Sequence, residues 1–269
     1  MPSAAPVSSV RDALAAAEDS LRAAGCDTPR LDAELLLAFS MGVSRPELIT
    51  ADGVPPAAAR RAMELVRRRV AREPVAYILG AKGFRHIELH VDRRVLIPRP
   101  ETELLVEVAL ELPLGARVHD VGTGSGAVAL ALKQERPDLV VTASDASAGA
   151  VEVASVNAAA LGLDVSVTVA RGLPPGEYDL VLANLPYVRD DEWRTLQPEI
   201  ARYEPREALV SGADGLDAIR ALVAEAPSGL RLALEHAPDQ AEAVRALLQD
   251  ARTLQDLSGR ERVTVGRAR

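Results

Sequence analysis

From Arg117 to the end, runs of strand length alternate with segments of helix length, and that alternation leaves few folds open. Strands are expected over 117–121, 140–144, 165–169, 178–183 and 230–235, with helices over 126–134, 146–161, 215–226 and 238–250. Two closing strands are expected near 253–257 and 262–265. Strand–helix–strand crossovers in one sheet are right-handed and parallel, so the pattern predicts an α/β doubly wound, Rossmann-like sheet with helices on both faces. Ligands of such sheets bind outside the carboxyl ends of the strands. Two loops at those ends carry the chemistry.

The first loop is Asp120-Val121-Gly122-Thr123-Gly124-Ser125-Gly126, between a strand and a helix. Glycines at a spacing of two let the backbone turn tightly and approach a ligand without Cβ clashes. The helix that follows presents free N–H groups. Asp145 ends the next strand, 145 − 122 = 23 residues after the first glycine, where an acid can take both hydroxyls of a ribose. Gly122, Gly124 and Ala127 also satisfy the loose pattern of a nicotinamide dinucleotide site. Asp120 argues against that reading, because an anionic pyrophosphate gains nothing from a carboxylate at the strand end. A sulfonium cofactor carrying an ammonium group fits better.

The second loop lies in Tyr178–Val188, YDLVLANLPYV. Leu180–Ala183 reads as a buried strand that delivers Asn184 to the carboxyl edge. Pro186 stiffens the turn, and Tyr187 offers a flat apolar face with a polar tip. Such a loop can grip a planar amino or amide group. The Asn184 side-chain oxygen and the Leu185 carbonyl could accept from its two N–H bonds, aiming the nitrogen lone pair at a methyl donor. No strong base is needed, since the proton can leave after alkylation.

Ahead of these loops, residues 8–72 read as helices. Val10, Leu14, Ala17 and Leu21 form one apolar face, Leu31, Leu35, Leu36 and Phe39 a second, and Ala59, Met63, Val66 and Val70 a third. The third helix region carries Arg60, Arg61, Arg67, Arg68, Arg69 and Arg72, expected as a solvated face or as a docking surface for an acidic partner. A hairpin is expected over 84–98, its second strand at Val95–Ile97, with His86 and His90 on one strand face and no metal site.

One cysteine, Cys26, excludes an internal disulfide and suggests a reducing cytoplasm. The N-terminus lacks signal-peptide character, and no apolar run has the length of a membrane span. A formal net charge of −8 and 3% aromatic residues argue against a nucleic-acid-coating surface.

Val75–Gly80 (VAYILG), Val95–Glu107 (VLIPRPETELLVE), Asp120–Leu132, the YDLVLANLPYV stretch, Glu204–Leu209 (EPREAL), Gly212–Arg220 and Gly259–Val263 (GRERV) together resemble the peptide chain release factor N5-glutamine methyltransferases, over roughly residues 8 to 267. The resemblance implies S-adenosyl-L-methionine as donor. The acceptor it implies is the glutamine side-chain amide in the Gly-Gly-Gln motif of class I release factors. It implies an N-terminal helical substrate-recognition domain (1–74), a β-hairpin linker (75–98) and a Rossmann-like methyltransferase domain (99–269); a monomer in the cytoplasm is expected. Gly122, Thr123, Gly124, Ser125 and Gly126 match the cofactor loop and Asp145 the ribose carboxylate, with Asn184 bordering the cofactor. Asn184, Leu185, Pro186 and Tyr187 match the glutamine-holding loop, with Asn184, Pro186 and Tyr187 as the catalytic set. Arg99, Thr102 and Glu103 match a segment over the active site.

Three departures stand out. Leu185 replaces the first proline of Asn-Pro-Pro-Tyr. Ala170-Arg171-Gly172-Leu173 lacks the family's acid, so no adenine contact is assigned. His236 falls at a variable position expected at the surface. Methylation of a ribosomal-protein glutamine, or of an amino group on DNA or RNA, remains the alternative, and a non-catalytic binding module a third.

Overall fold

Helix α1 (Val10–Ala23) starts where the Ser9 hydroxyl accepts from the Asp12 backbone N–H, and α2 (Pro29–Met41) ends at Gly42 in the left-handed conformation. A capping box between Ser44 and Glu47 opens α3 (Arg45–Thr50). Then come α4 (Pro56–Val70) and α5 (Val75–Leu79). The computed structural model describes residues 9–269 and divides them into two units. The first runs to Gly80 and also takes in Gln197–Tyr203; the second holds Ala81–Leu196 and Glu204–Arg269.

In the first unit, Leu14, Leu21, Ala33, Leu37, Leu48 and Ala62 build an apolar core. Two expected faces are rotated. On α4 the buried stripe is Ala58, Ala62, Leu65 and Arg69, while Met63 and Val70 are exposed. On α2 Leu31 and Phe39 are exposed, and Asp32 lies inside. The physical reason is an ion cluster. Arg69 donates to Asp32 at 2.7 Å and to Glu199 at 2.8 Å, all three side chains being largely enclosed. Arg72 grips Glu199 with two bonds of 2.7 Å, the bidentate geometry that makes such pairs strong. Arg68 does the same to Glu73 at 2.8 Å. The arginine run is therefore not one solvated face. Arg60, Arg61 and Arg67 are exposed, and Arg61 lies over the Phe39 ring at 4.5 Å.

The second unit opens with a hairpin, β1 (Ala81–Phe84) against β2 (Ile87–His90), turning at Arg85-His86. The turn therefore precedes the expected one. Val95–Ile97 is not a strand, and His86 sits in the turn rather than beside His90. After α6 (Glu103–Leu110) come β3 (Arg117–Val121), α7 (Ala127–Glu135), β4 (Val140–Asp145), α8 (Ala148–Leu161), β5 (Ser166–Val169) and β6 (Leu180–Ala183). The segment α9 (Pro198–Tyr203) belongs to the first unit. Then α10 (Asp217–Glu225), β7 (Arg231–Glu235), α11 (Ala241–Leu247), β8 (Gln249–Gln255) and β9 (Glu261–Arg267) complete the chain.

The sheet order is β5-β4-β3-β6-β7-β9-β8, with the first five strands parallel and β9 antiparallel to both neighbours. This is the doubly wound, Rossmann-like architecture. β6 is buried at every residue, as a central parallel strand should be. Side chains of α10 and α11, including Ile219, Leu222 and Val244, share one core with Val121, Val181 and Leu234 of the sheet. The register pairs Val121 with both Ser144 and Ala183. Gly122, Asp145 and Asn184, the next residue on each strand, therefore leave the carboxyl edge side by side.

Candidate active site

At that edge, where strand order reverses around β3, a cavity of about 700 Å³ opens within the second unit. Both loops singled out from the sequence line it.

Gly122, Gly124 and Gly126 have φ of 73°, 56° and 84°, a region that side-chain-bearing residues rarely occupy. The N–H groups of Gly122 and Thr123 donate to the Ser144 carbonyl at 2.9 and 3.0 Å. Asp145 braces the same loop: Oδ2 accepts from Gly124 N and Oδ1 from Ser147 N, both at 2.9 Å. Ser125 is buried, and its carbonyl accepts from Asn157 Nδ2 at 2.8 Å. Asn157 also holds the His90 backbone, so it ties the hairpin to the loop. Asp120 is 2% exposed and accepts from the Thr123 hydroxyl at 2.7 Å. Burial pushes its carboxyl up to about 6, against the pull of Thr123. A buried acid so placed at the cavity is suited to a cationic ligand group, which would restore its charge.

In the second loop Asn184, Leu185 and Pro186 line the cavity. Asn184 Nδ2 donates to Thr102 Oγ1 at 3.0 Å, which leaves Oδ1 as the end able to accept from a ligand. Leu185 packs over Gly122, where a Cβ would come within 2.9 Å of Leu185 Cδ2, and its side chain joins the α10–α11 core. The Tyr187 hydroxyl donates inward to Glu235 Oε1 at 3.3 Å. Burial and the neighbouring Glu235 charge raise the phenol's pKa, so Tyr187 stays protonated.

Of the preceding segment, Arg99 and Thr102 line the cavity, whereas Glu103 accepts from the Arg85 backbone. Arg99 pairs with Glu204, which also accepts from Ile97 N at 3.2 Å. Burial pushes the Glu204 carboxyl up, with Arg99 opposing.

Glu225 gave no sequence signal. It comes from the end of α10, accepts from Leu173 N at 3.0 Å, and fills the space beside Gly172, where a Cβ would lie 1.9 Å from its Oε2. A carboxylate thus reaches the stretch 170–173, which has none of its own. His236 is not at the surface. It is fully enclosed, with Nε2 against Thr264 Oγ1 and Nδ1 against the Ala237 carbonyl, both at 2.8 Å. Burial lowers its pKa and keeps it neutral.

Residues 12–80 match the family described as the PrmC N-terminal domain, and residues 100–209 match the methyltransferase small domain. The release factor glutamine methyltransferase of Xylella fastidiosa (strain Temecula1) is 45% identical over 257 residues, covering 88% of this chain and 93% of that one. Its counterpart in Caulobacter vibrioides is 40% identical over 272 residues, covering 93% of each. That of Mycolicibacterium smegmatis is 42% identical over 270 residues, covering 94% of this chain and 95% of its own. Among solved structures, the hMettl16 catalytic domain in complex with the MAT2A 3′UTR hairpin 6 aligns with a TM-score of 0.51 at 13% identity, covering 77% of this chain and 80% of that one. That last likeness is one of fold.

Proposed function

The chain belongs to the release factor glutamine methyltransferases, and from that premise we propose that it moves a methyl group from S-adenosyl-L-methionine to the N5 side-chain amide nitrogen of the Gly-Gly-Gln glutamine in class I peptide chain release factors. The donor supplies an electrophilic methyl group on a sulfonium centre. Everything else falls to the side chains. The left-handed glycines at 122, 124 and 126 would allow close backbone approach, Asp120 would meet the ammonium end, and Asp145 would take the ribose hydroxyls. Glu225 offers an acceptor edge to the base.

An amide nitrogen is a poor nucleophile because its lone pair is delocalised into the carbonyl. Asn184 Oδ1 and the Leu185 carbonyl accept from its two N–H bonds, fix the lone pair toward the methyl group, and favour the positive charge that develops on nitrogen. Pro186 and the Tyr187–Glu235 bond hold the loop in that shape. The observation that supports this reading is the hydrogen bond from Asn184 Nδ2 to Thr102, which leaves the amide oxygen as the open end. The net charge of −8 favours a protein acceptor over nucleic acid, and we place the reaction in the cytoplasm with a monomer as the working form.

The test is label transfer from S-adenosyl-L-methionine to a release factor, its Gln→Ala motif variant, ribosomal proteins, DNA and RNA. Label is expected on the release factor alone and to vanish with the motif variant; label on nucleic acid alone would reverse the conclusion. Asn184→Ala is expected to abolish transfer while cofactor affinity stays within a few-fold.

A further inference from the structure

Gln240 lies in the turn Pro238–Gln240 that leads into α11, buried at 4% exposure and 53 residues after Tyr187. Its side-chain amide joins separate stretches of backbone. Nε2 donates to the Tyr187 carbonyl and to the Asp214 carbonyl, both at 2.9 Å, and Oε1 accepts from Ala237 N at 2.9 Å. A reversed amide would set Oε1 against two carbonyl oxygens and the NH2 group against the Ala237 N–H, so the partners fix its orientation. Gly215 completes the meeting point. Its φ is 76°, and a Cβ there would lie 2.1 Å from the Tyr187 oxygen and 2.5 Å from Gln240 Nε2. Only a residue without a side chain leaves room for that bond.

Tyr187 is thus gripped at both ends, its hydroxyl by Glu235 at 3.3 Å and its carbonyl by Gln240. Just beyond it, Val188 N donates to the Leu209 carbonyl at 2.8 Å and Ser211 N to the Val188 carbonyl at 2.9 Å. The entry to the asparagine loop is held separately, by β6 in the sheet and by the bond from Asn184 to Thr102. Between the Leu185 and Tyr187 carbonyls, Pro186 has a fixed φ, so the freedom that remains is ψ of Pro186 and φ and ψ of Tyr187. A hold on the Tyr187 carbonyl therefore restrains where the Leu185 carbonyl points. We propose that Gln240 is a positioning residue: its amide, bridging Tyr187 and Asp214, holds the exit of the asparagine loop so that the Leu185 carbonyl is aimed at the acceptor amide.

Gln240 does not line the cavity, so it acts on the chemistry only through the backbone it holds. The glycine loop stands apart from it. Residues 122–126 are braced by the Ser144 carbonyl, by Asp145 and by Asn157, none of which Gln240 touches. Loss of the Gln240 amide is therefore expected to separate methyl transfer from cofactor binding. A helix neighbour supplies the contrast: Arg245 on α11 bonds to Thr253 and Glu261 at 2.8 and 2.6 Å, away from both loops.

Because this role presupposes the methyl-transfer reading, kcat is measured at saturating S-adenosyl-L-methionine and release factor, beside cofactor Kd by calorimetry and the thermal midpoint. In Gln240→Ala, kcat is expected to drop roughly tenfold or more, with cofactor Kd within about threefold. Gln240→Glu keeps the volume and the acceptor for Ala237 N but turns an oxygen toward two carbonyls, and should lose at least as much kcat. Gly215→Ala presses on the same bond from the other side, so combined with Gln240→Ala it should lose no more than the larger single loss. Arg245→Ala should lower the thermal midpoint and leave kcat unchanged. A Gln240→Ala protein with its original kcat overturns the inference, as do losses that multiply in the double variant or an equal kcat loss in Arg245→Ala. If Gln240→Ala does not fold, Gln240→Glu and Gly215→Ala decide, and an unchanged kcat in both overturns it. Absence of any methylation of the release factor by the unaltered protein would instead overturn the proposed function.

Discussion

Gly122 is held by two constraints at once. Its φ of 73° disfavours a side chain, and the space a Cβ would need is taken by Leu185. Gly122→Ala is therefore expected to cost about 1–3 kcal/mol and to weaken cofactor binding, read by calorimetry and thermal melting; unchanged affinity would show that the loop can shift. Leu185 explains how a loop without its first proline keeps its shape. Proline would restore roughly 1 kcal/mol or less of preorganisation but would remove the packing onto Gly122 and the α10–α11 core. Leu185→Pro should leave kcat within a few-fold, and a large gain would mean that the present loop is loose. Both loops were legible because each is a local pattern of glycines, an acid, an asparagine and a proline at strand ends. The partnership of Asn184 with Thr102 spans 82 residues, Tyr187 with Glu235 spans 48 and Leu173 with Glu225 spans 52, and no local spacing encodes such pairs.

At the scale of elements, the end of β3 governs pH behaviour. Asp120 titrates near 6 in the folded protein, above its ordinary 3.8, so the stability it contributes is complete below about 3.8 and lost as pH rises through 6. The thermal midpoint of the cofactor-free protein, relative to Asp120→Asn, should decline between pH 4 and 7. Cofactor affinity should run the other way, weakening as pH falls below 6 in the unaltered protein and staying flat in Asp120→Asn. Equal slopes in the two proteins would remove Asp120 from the ammonium site. Helices α2 and α4 show where periodicity misleads. Counting apolar residues turned Met63 and Val70 inward, but Arg69 is the buried one because Asp32 and Glu199 meet it there. Arg69→Ala leaves two buried carboxylates without that partner and should cost about 3–5 kcal/mol by denaturant unfolding. A loss below about 1 kcal/mol would mean that water reaches the cluster.

Over the whole molecule, the doubly wound sheet was readable because its alternation is long and each crossover obeys a fixed hand. The short α9 was not. Six residues from Pro198 carry little periodicity, and the partners that hold them lie more than a hundred residues earlier. That placement has a consequence for synthesis. The first unit lacks Glu199 and Tyr203 until the chain reaches residue 203, which is 203 − 80 = 123 residues after Gly80. At roughly 5–20 residues per second, the helices made first wait on the order of 6–25 s for their last piece. During that interval Arg69 has Asp32 but not Glu199, and Arg72 lacks its bidentate partner. The part of the protein that leaves the ribosome earliest is therefore among the last to be finished.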